Sequence, residues 1–181
     1  AFEFNTNGDT EGFAAPPSLN VTGLATSGGY LTGTASSNDP QLKINGTNFT
    51  VGAGETWDYI EFRVRETQNE APSGTVNVFN ATGLVVVVNA TAPPAVTWSS
   101  RFTAVDSGDG FFTVTLDISS LVAVAISDLR VDPIGGAASN SNSETNGNTF
   151  EVDYIRLHAV PEPAAALLGG IGLLSLLRRR R

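Results

Sequence analysis

The chain has 181 residues, 41% of them hydrophobic and 8% aromatic, which suits one well-cored domain with a short appendage and argues against global disorder. Ten basic against eighteen acidic residues give a formal charge of −8, so a nucleic-acid binder held by a basic surface is disfavoured. The absence of cysteine excludes disulfides, thiolate metal sites and cysteine nucleophiles, while His158 as sole histidine leaves little room for a Ser/His/Asp triad or a His-rich zinc site.

Glycine, proline and frequent Asn, Thr and Ser break the chain into short apolar runs with no sustained 3.6-residue period before residue 160, the pattern of an all-β domain. The pattern predicts strands over residues 2–5, 30–34, 57–66, 75–80, 84–89, 111–118, 126–131 and 150–157. Within 57–66, Ile60, Phe62 and Val64 share one parity, and Trp57, Tyr59, Glu61, Arg63 and Arg65 share the other. The same alternation in Phe112, Val114, Leu116 and Ile118, and in Leu129 and Val131 against Asp128, Arg130 and Asp132, gives several strands one buried face each. Two antiparallel sheets stacked as a sandwich satisfy that requirement. Residues 135–148 (GGAASNSNSETNGN) lack apolar anchors and read as a long loop before the last strand.

Two oxygen-rich runs read as turns. Asn5-x-Asn7-x-Asp9-x-Glu11 has alternate acceptors without the glycine placement or flanking helices of a calcium loop, and Asp106-Ser-Gly-Asp109-Gly110 suits a hairpin before Phe111. Asn-x-Ser/Thr triplets at Asn20, Asn45, Asn48, Asn80 and Asn89 are what chance supplies in so Asn/Thr-rich a sequence.

After His158 the composition changes abruptly to VPEPAAALLGGIGLLSLLRRRR. The proline pair is expected to end the last strand and free the segment behind it, which divides the chain into a β-sandwich domain over 1–159 and a terminal signal over 160–181. Residues 164–177 are almost uninterruptedly apolar and would form a helix of about 21 Å, short of a ~30 Å hydrocarbon core. Arg178, Arg179, Arg180 and Arg181 would remain cytoplasmic, leaving the acidic domain outside. Four of the ten basic residues thus belong to the tail. No methionine is present and the chain starts at Ala1, as expected after removal of a signal peptide.

The run Val160-Pro161-Glu162-Pro163, the short apolar segment and the four arginines together resemble the PEP-CTERM sorting signal of exosortase substrates. That resemblance covers about the last 22 residues. It implies export in a bacterium, transient membrane retention through the C-terminal helix, recognition by an exosortase-type processing enzyme, removal of the tail and delivery to the cell surface or extracellular matrix.

In the body, FEFNTNGDTEGF (residues 2–13), LRVDP (129–133) and VDYI (152–155) resemble phrases of galactose-binding-like jelly rolls related to carbohydrate-binding modules. The resemblance implies an all-β jelly-roll sandwich, extracellular polysaccharide as partner and a structural calcium held by Glu3 and Asp153. Phe13 stands where that phrase usually has Trp, and Ala123 and Ala125 occupy a strand start where Trp is frequent.

Sugar recognition needs aromatic faces beside fixed polar groups, and the outward row Trp57, Tyr59, Glu61, Arg63 and Arg65 offers both. Asn77 and Arg130 would extend it across neighbouring strands, with Trp98 and Tyr30 near strand ends as further candidates. The same row also fits a solvated sheet face with cross-strand ion pairs. A rival enzyme reading rests on Glu151-Val-Asp153-Tyr-Ile, which resembles the start of the Glu-x-Asp-x-x-Glu strand of laminarinase-type glycoside hydrolases. Arg156 stands at the final glutamate, so the carboxylate pair of a retaining mechanism is incomplete. A non-catalytic surface or matrix protein, with or without a ligand, needs no such pair.

Overall fold

The computed structural model describes residues 1–37, 40–67, 86–90, 96–98, 102–121, 125–133 and 147–162. Among the described residues there are ten strands: β1 (Val21–Ser27), β2 (Tyr30–Ala35), β3 (Leu42–Phe49), β4 (Glu55–Thr67), β5 (Val86–Ala90), β6 (Val96–Trp98), β7 (Phe102–Asp106), β8 (Phe112–Asp117), β9 (Ile126–Val131) and β10 (Thr149–Pro161). Among the described residues there is no helix, and the expected strand over 75–80 and apolar segment over 164–177 lie outside them.

Six strands form one antiparallel sheet in the order β1-β2-β10-β4-β8-β7, and four form a second in the order β3-β9-β5-β6. One apolar cluster joins them: Leu31, Ile60, Phe62, Val64, Val114, Leu116, Phe150, Val152 and Ile155 from the first sheet meet Leu42, Ile44, Ile126, Leu129 and Val131 from the second. The architecture is therefore an all-β pair of antiparallel sheets sharing a core, as a β-sandwich requires.

The longest strands, β4 and β10, lie side by side at the centre of the larger sheet. Their ladder contains two bulges of opposite sense. Val152 faces Val64 and Tyr154 faces Arg63, so Asp153 is an extra residue on β10; Leu157 faces Ile60 and Ala159 faces Trp57, so β4 carries the extra residue at Asp58/Tyr59.

The second bulge overturns one expectation. Because one residue is added between Trp57 and Ile60, the parity of β4 reverses, and Trp57 joins Ile60, Phe62 and Val64 in the core at 4% exposure. Tyr59, Glu61, Arg63 and Arg65 stay on the outer face as expected.

The N-terminal segment is reduced from the expected strand to a single bridge. Phe2 exchanges backbone hydrogen bonds with Ile155 at 2.8 and 2.9 Å, continuing on β10 the edge that β2 occupies further along. Phe4 then turns away with φ +48°, and the Glu11 carboxylate accepts the Glu3 and Phe4 N–H groups at 2.8–3.1 Å. Phe2, Phe4 and Phe13 interlock edge to face, with centroids 5.1 and 5.9 Å from Phe13.

Candidate functional site

The outer face of the six-stranded sheet carries a connected set of ionic and aromatic side chains. β4 contributes Tyr59, Glu61, Arg63 and Arg65; β10 contributes Glu151, Asp153, Tyr154, Arg156 and His158. The Asp153 bulge matters here. After Val152 the inward position is resumed only at Ile155, so Asp153 and Tyr154 both stand outside the core.

Each arginine is fixed twice, by carboxylate and by ring. Arg63 ion-pairs with Asp153 and Asp109, and its guanidinium lies 4.3 Å from the centroid of Phe111. Arg65 holds Glu151, with Nε donating to Oε2 at 2.7 Å, and lies 4.5 Å from Phe111 and 6.0 Å from Tyr30. Arg156 forms a fork with Glu3, at 2.8 and 3.0 Å, reaches Glu61 at 3.9 Å and covers Tyr154 at 3.8 Å. Cation–π contact of this kind orients the guanidinium plane as well as its charge.

Phe111 and Tyr30 come from distant points of the chain. β7 and β8 form the hairpin expected around Asp106, and Asp106 and Asp109 accept the Gly108 and Phe111 N–H groups to hold its turn. Phe111 emerges from that turn and stacks on Tyr30 of β2 with centroids 5.3 Å apart. Since β10 and β4 separate β2 from β8 in the sheet order, the two rings meet over Arg63 and Arg65.

The electrostatics follow from these pairings. Fork bonding to Arg156, reinforced by its charge, lowers the Glu3 pKa from the ordinary carboxylate value, and the same bond raises that of Arg156. The Phe111 N–H, with the Arg63 charge and hydrogen bond adding to it, lowers the Asp109 pKa. Burial, and then the hydrogen bond to Glu61, raises the Tyr154 pKa, so its hydroxyl is a neutral donor across physiological pH.

At the lower end, Tyr59 and His158 stack with centroids 4.1 Å apart and an interplanar angle of 19°. His158 Nε2 is buried without a hydrogen-bond partner among the described residues, and the ring stacks on Tyr59 at the β4 bulge.

Several expected site residues are thus brought together and others are not. Tyr59, Glu61, Arg63 and Arg65 share the outer face, from which Trp57 is removed by the bulge. Arg130 lies on β9 in the other sheet, bound to Asp132 at 2.6 and 2.7 Å, and cannot extend the row. Asn77 and the side chain of Trp98 lie outside the described residues.

Glu3 and Asp153 are drawn to different arginines, Arg156 and Arg63. Among the described residues no three acidic or histidine side chains converge as a metal cradle. The pair does not fit a calcium site in this arrangement, because both carboxylates already neutralise guanidinium groups. In the run Asn5 to Glu11, the Asn7 and Asp9 side chains accept N–H groups of Gly28 and Glu11, so the run is a polar turn here.

Phe111, Asp109, Tyr154 and Arg156 belong to this face although the strand pattern did not single them out as site residues. Alternation places Arg156 on the same face as Tyr154, but only the Asp153 bulge tells which face that is.

Of the residues expected to form a sorting signal, Val160, Pro161 and Glu162 are described, and Pro163, Arg178, Arg179, Arg180 and Arg181 lie outside the described residues. The prolines do not end β10 at residue 157. Val160 pairs with Thr56, Pro161 pairs with Glu55, and the Glu162 N–H donates to the Gly54 carbonyl at 2.7 Å.

No protein-family model matches the chain, and comparison with curated proteins finds no similar sequence.

Proposed function

We propose that the chain is an exported, non-catalytic bacterial protein of the cell surface or extracellular matrix, a jelly-roll sandwich that binds polysaccharide on the outer face of its six-stranded sheet. Its route is that of the PEP-CTERM signal at residues 160–181: retention in the inner membrane through the apolar segment, then processing by an exosortase-type enzyme. The jelly-roll reading draws support from the chain path, which changes sheets six times between β1 and β10.

The observation that carries the binding reading is the fixing of Arg63, Arg65 and Arg156 between carboxylates and the rings of Phe111, Tyr30 and Tyr154. Immobilised donors beside acceptors of fixed position can replace water at sugar hydroxyls at little ordering cost. The centre moves from Trp57 to the pair Tyr154/Arg156, with Glu61, Arg63 and Arg65 around it.

A second reading, a structural matrix subunit without a ligand, is favoured by one feature: each of these three arginines already has a carboxylate partner, so the face is satisfied on its own. A glycoside hydrolase is disfavoured because Arg156 replaces a carboxylate and is itself neutralised by Glu3.

The test is a glycan array probed with the full chain in mild detergent, with and without calcium, alongside Tyr154→Ala and Arg156→Ala. Polysaccharide retention lost in both variants supports the binding site. An array without retained glycans, or retention untouched by both substitutions, leaves the structural subunit.

A further inference from the structure

Residues 160–162 fall within the Val160-Pro161-Glu162-Pro163 run to which the sorting reading assigns recognition, and they are also the closing rungs of the β4–β10 ladder. Enzymes that cut or transfer a peptide bond take their substrate as a single extended strand, and they need the backbone N–H and C=O groups that a sheet already uses. Here those groups face residues 54–56, the turn into β4. Gly54 has φ +77° there, and Gly52 and Glu55 close the turn with hydrogen bonds of 3.0 and 3.1 Å. The strap is lightly held: Val160 is 38% exposed, Pro161 is exposed, and the bulge opposite His158 interrupts the ladder just before it.

We propose that the folded domain gates removal of its own tail, because 160–162 must detach from 54–56 before a processing enzyme engages the Pro-Glu-Pro segment. This gate rests on the sorting reading proposed for residues 160–181. The bulge sets where detachment stops, since beyond it Ile155 and Val152 are buried in the core and paired on both edges of β10. A folded domain therefore releases only its last rungs, and the membrane-held precursor waits on that local opening.

The sequence has no cysteine, so a clean lock can be built. Thr56 and Val160 are direct partners in the ladder, and antiparallel partners lie about 4.5–5.5 Å apart at Cα, within disulfide range. The precursor carrying Thr56→Cys and Val160→Cys is co-expressed with an exosortase-type enzyme, and tail loss is followed by intact mass. We expect the oxidised variant to lose its tail about tenfold more slowly, or not at all, while the same variant kept reduced behaves as wild type. Equal rates for oxidised and reduced forms would overturn the gate. Gly54→Val, which strains the positive-φ turn, should instead accelerate tail loss in a chain whose circular dichroism is native; an unchanged or slower rate would count against the proposal. Retention of the tail by wild type under the same conditions would overturn the sorting reading itself, and the gate with it.

Discussion

Truncating Trp57 tests the bulge that sets the two faces of β4. The strict alternation of this strand puts Trp57 outside, where Trp57→Ala would leave no cavity; the structure puts it at 4% exposure within the core. Large aromatic-to-alanine changes in a core cost about 3–5 kcal/mol. At about 2–4 °C per kcal/mol for a chain of this size, the thermal midpoint should fall by roughly 6–20 °C. Tyr59→Ala is the informative control. Tyr59 is the next aromatic on β4, half-buried, and its principal loss is the stack on His158, worth about 0.5–1.5 kcal/mol. Phe62→Ala, at a position with no exposure, should match Trp57→Ala. Urea unfolding followed by far-ultraviolet circular dichroism is the assay, because removing one of two tryptophans compromises fluorescence. Unchanged m-values would confirm that the same surface is exposed in each case. A Trp57→Ala variant within about 1 kcal/mol of wild type, beside a more damaging Tyr59→Ala, would place the bulge elsewhere and refute the reversal of faces.

Gly33 lies under Phe150 and Val21, where an added Cβ would meet their carbons at 2.6 and 2.9 Å; Gly33→Val should therefore destabilise by about 1–3 kcal/mol, read as a lowered urea midpoint. Arg65→Ala removes a half-exposed ion pair with Glu151 and a ring contact with Phe111, so a loss of about 1–2 kcal/mol is expected, only part of it screened by 1 M salt. Because the Glu3 pKa is lowered in the folded state, its bond to Arg156 stabilises above the unfolded glutamate value of about 4.3, and that contribution is lost as pH falls through the lower folded value. Stability of wild type measured from pH 6 downward should thus decline more steeply in this acid range than that of Glu3→Gln; parallel curves would show that the pair carries no linkage.

Strand positions were legible where one parity is apolar over several residues. β9 matches its expected range, and β2, β8 and β10 share most of theirs, because Leu31, Val114, Leu116, Phe150 and Val152 must all leave water. β1 and β3 were not legible. In β1 the register shifts between Thr22 and Ala25 around Gly23, so VTGLATS shows no period; in β3 the register with β9 shifts between Asn45 and Phe49, where Gly46 has φ +72°. The outer row at Tyr59, Glu61, Arg63 and Arg65 was legible from alternation alone. Its ring partners were not, since Phe111 arrives from the β7–β8 turn and Tyr30 from β2, two strands away from β4, and contacts between segments so distant in the chain leave no local signal.

The two bulges divide the sheet face into parts with different chemistry. At Asp153 the extra residue is on β10, and it adds a carboxylate to the outside where Arg63 already holds Asp109; charge is concentrated there and neutralised in the same step. At Asp58/Tyr59 the extra residue is on β4, and it draws Trp57 inward, so that the lower end is closed by the Tyr59/His158 stack. Bulges also raise local twist, and two of them on opposite strands of one ladder keep β4 and β10 in step over thirteen residues each. The ladder therefore reaches 160–162 still in register. The domain's last rungs depend on a one-residue insertion buried in the pattern of β4.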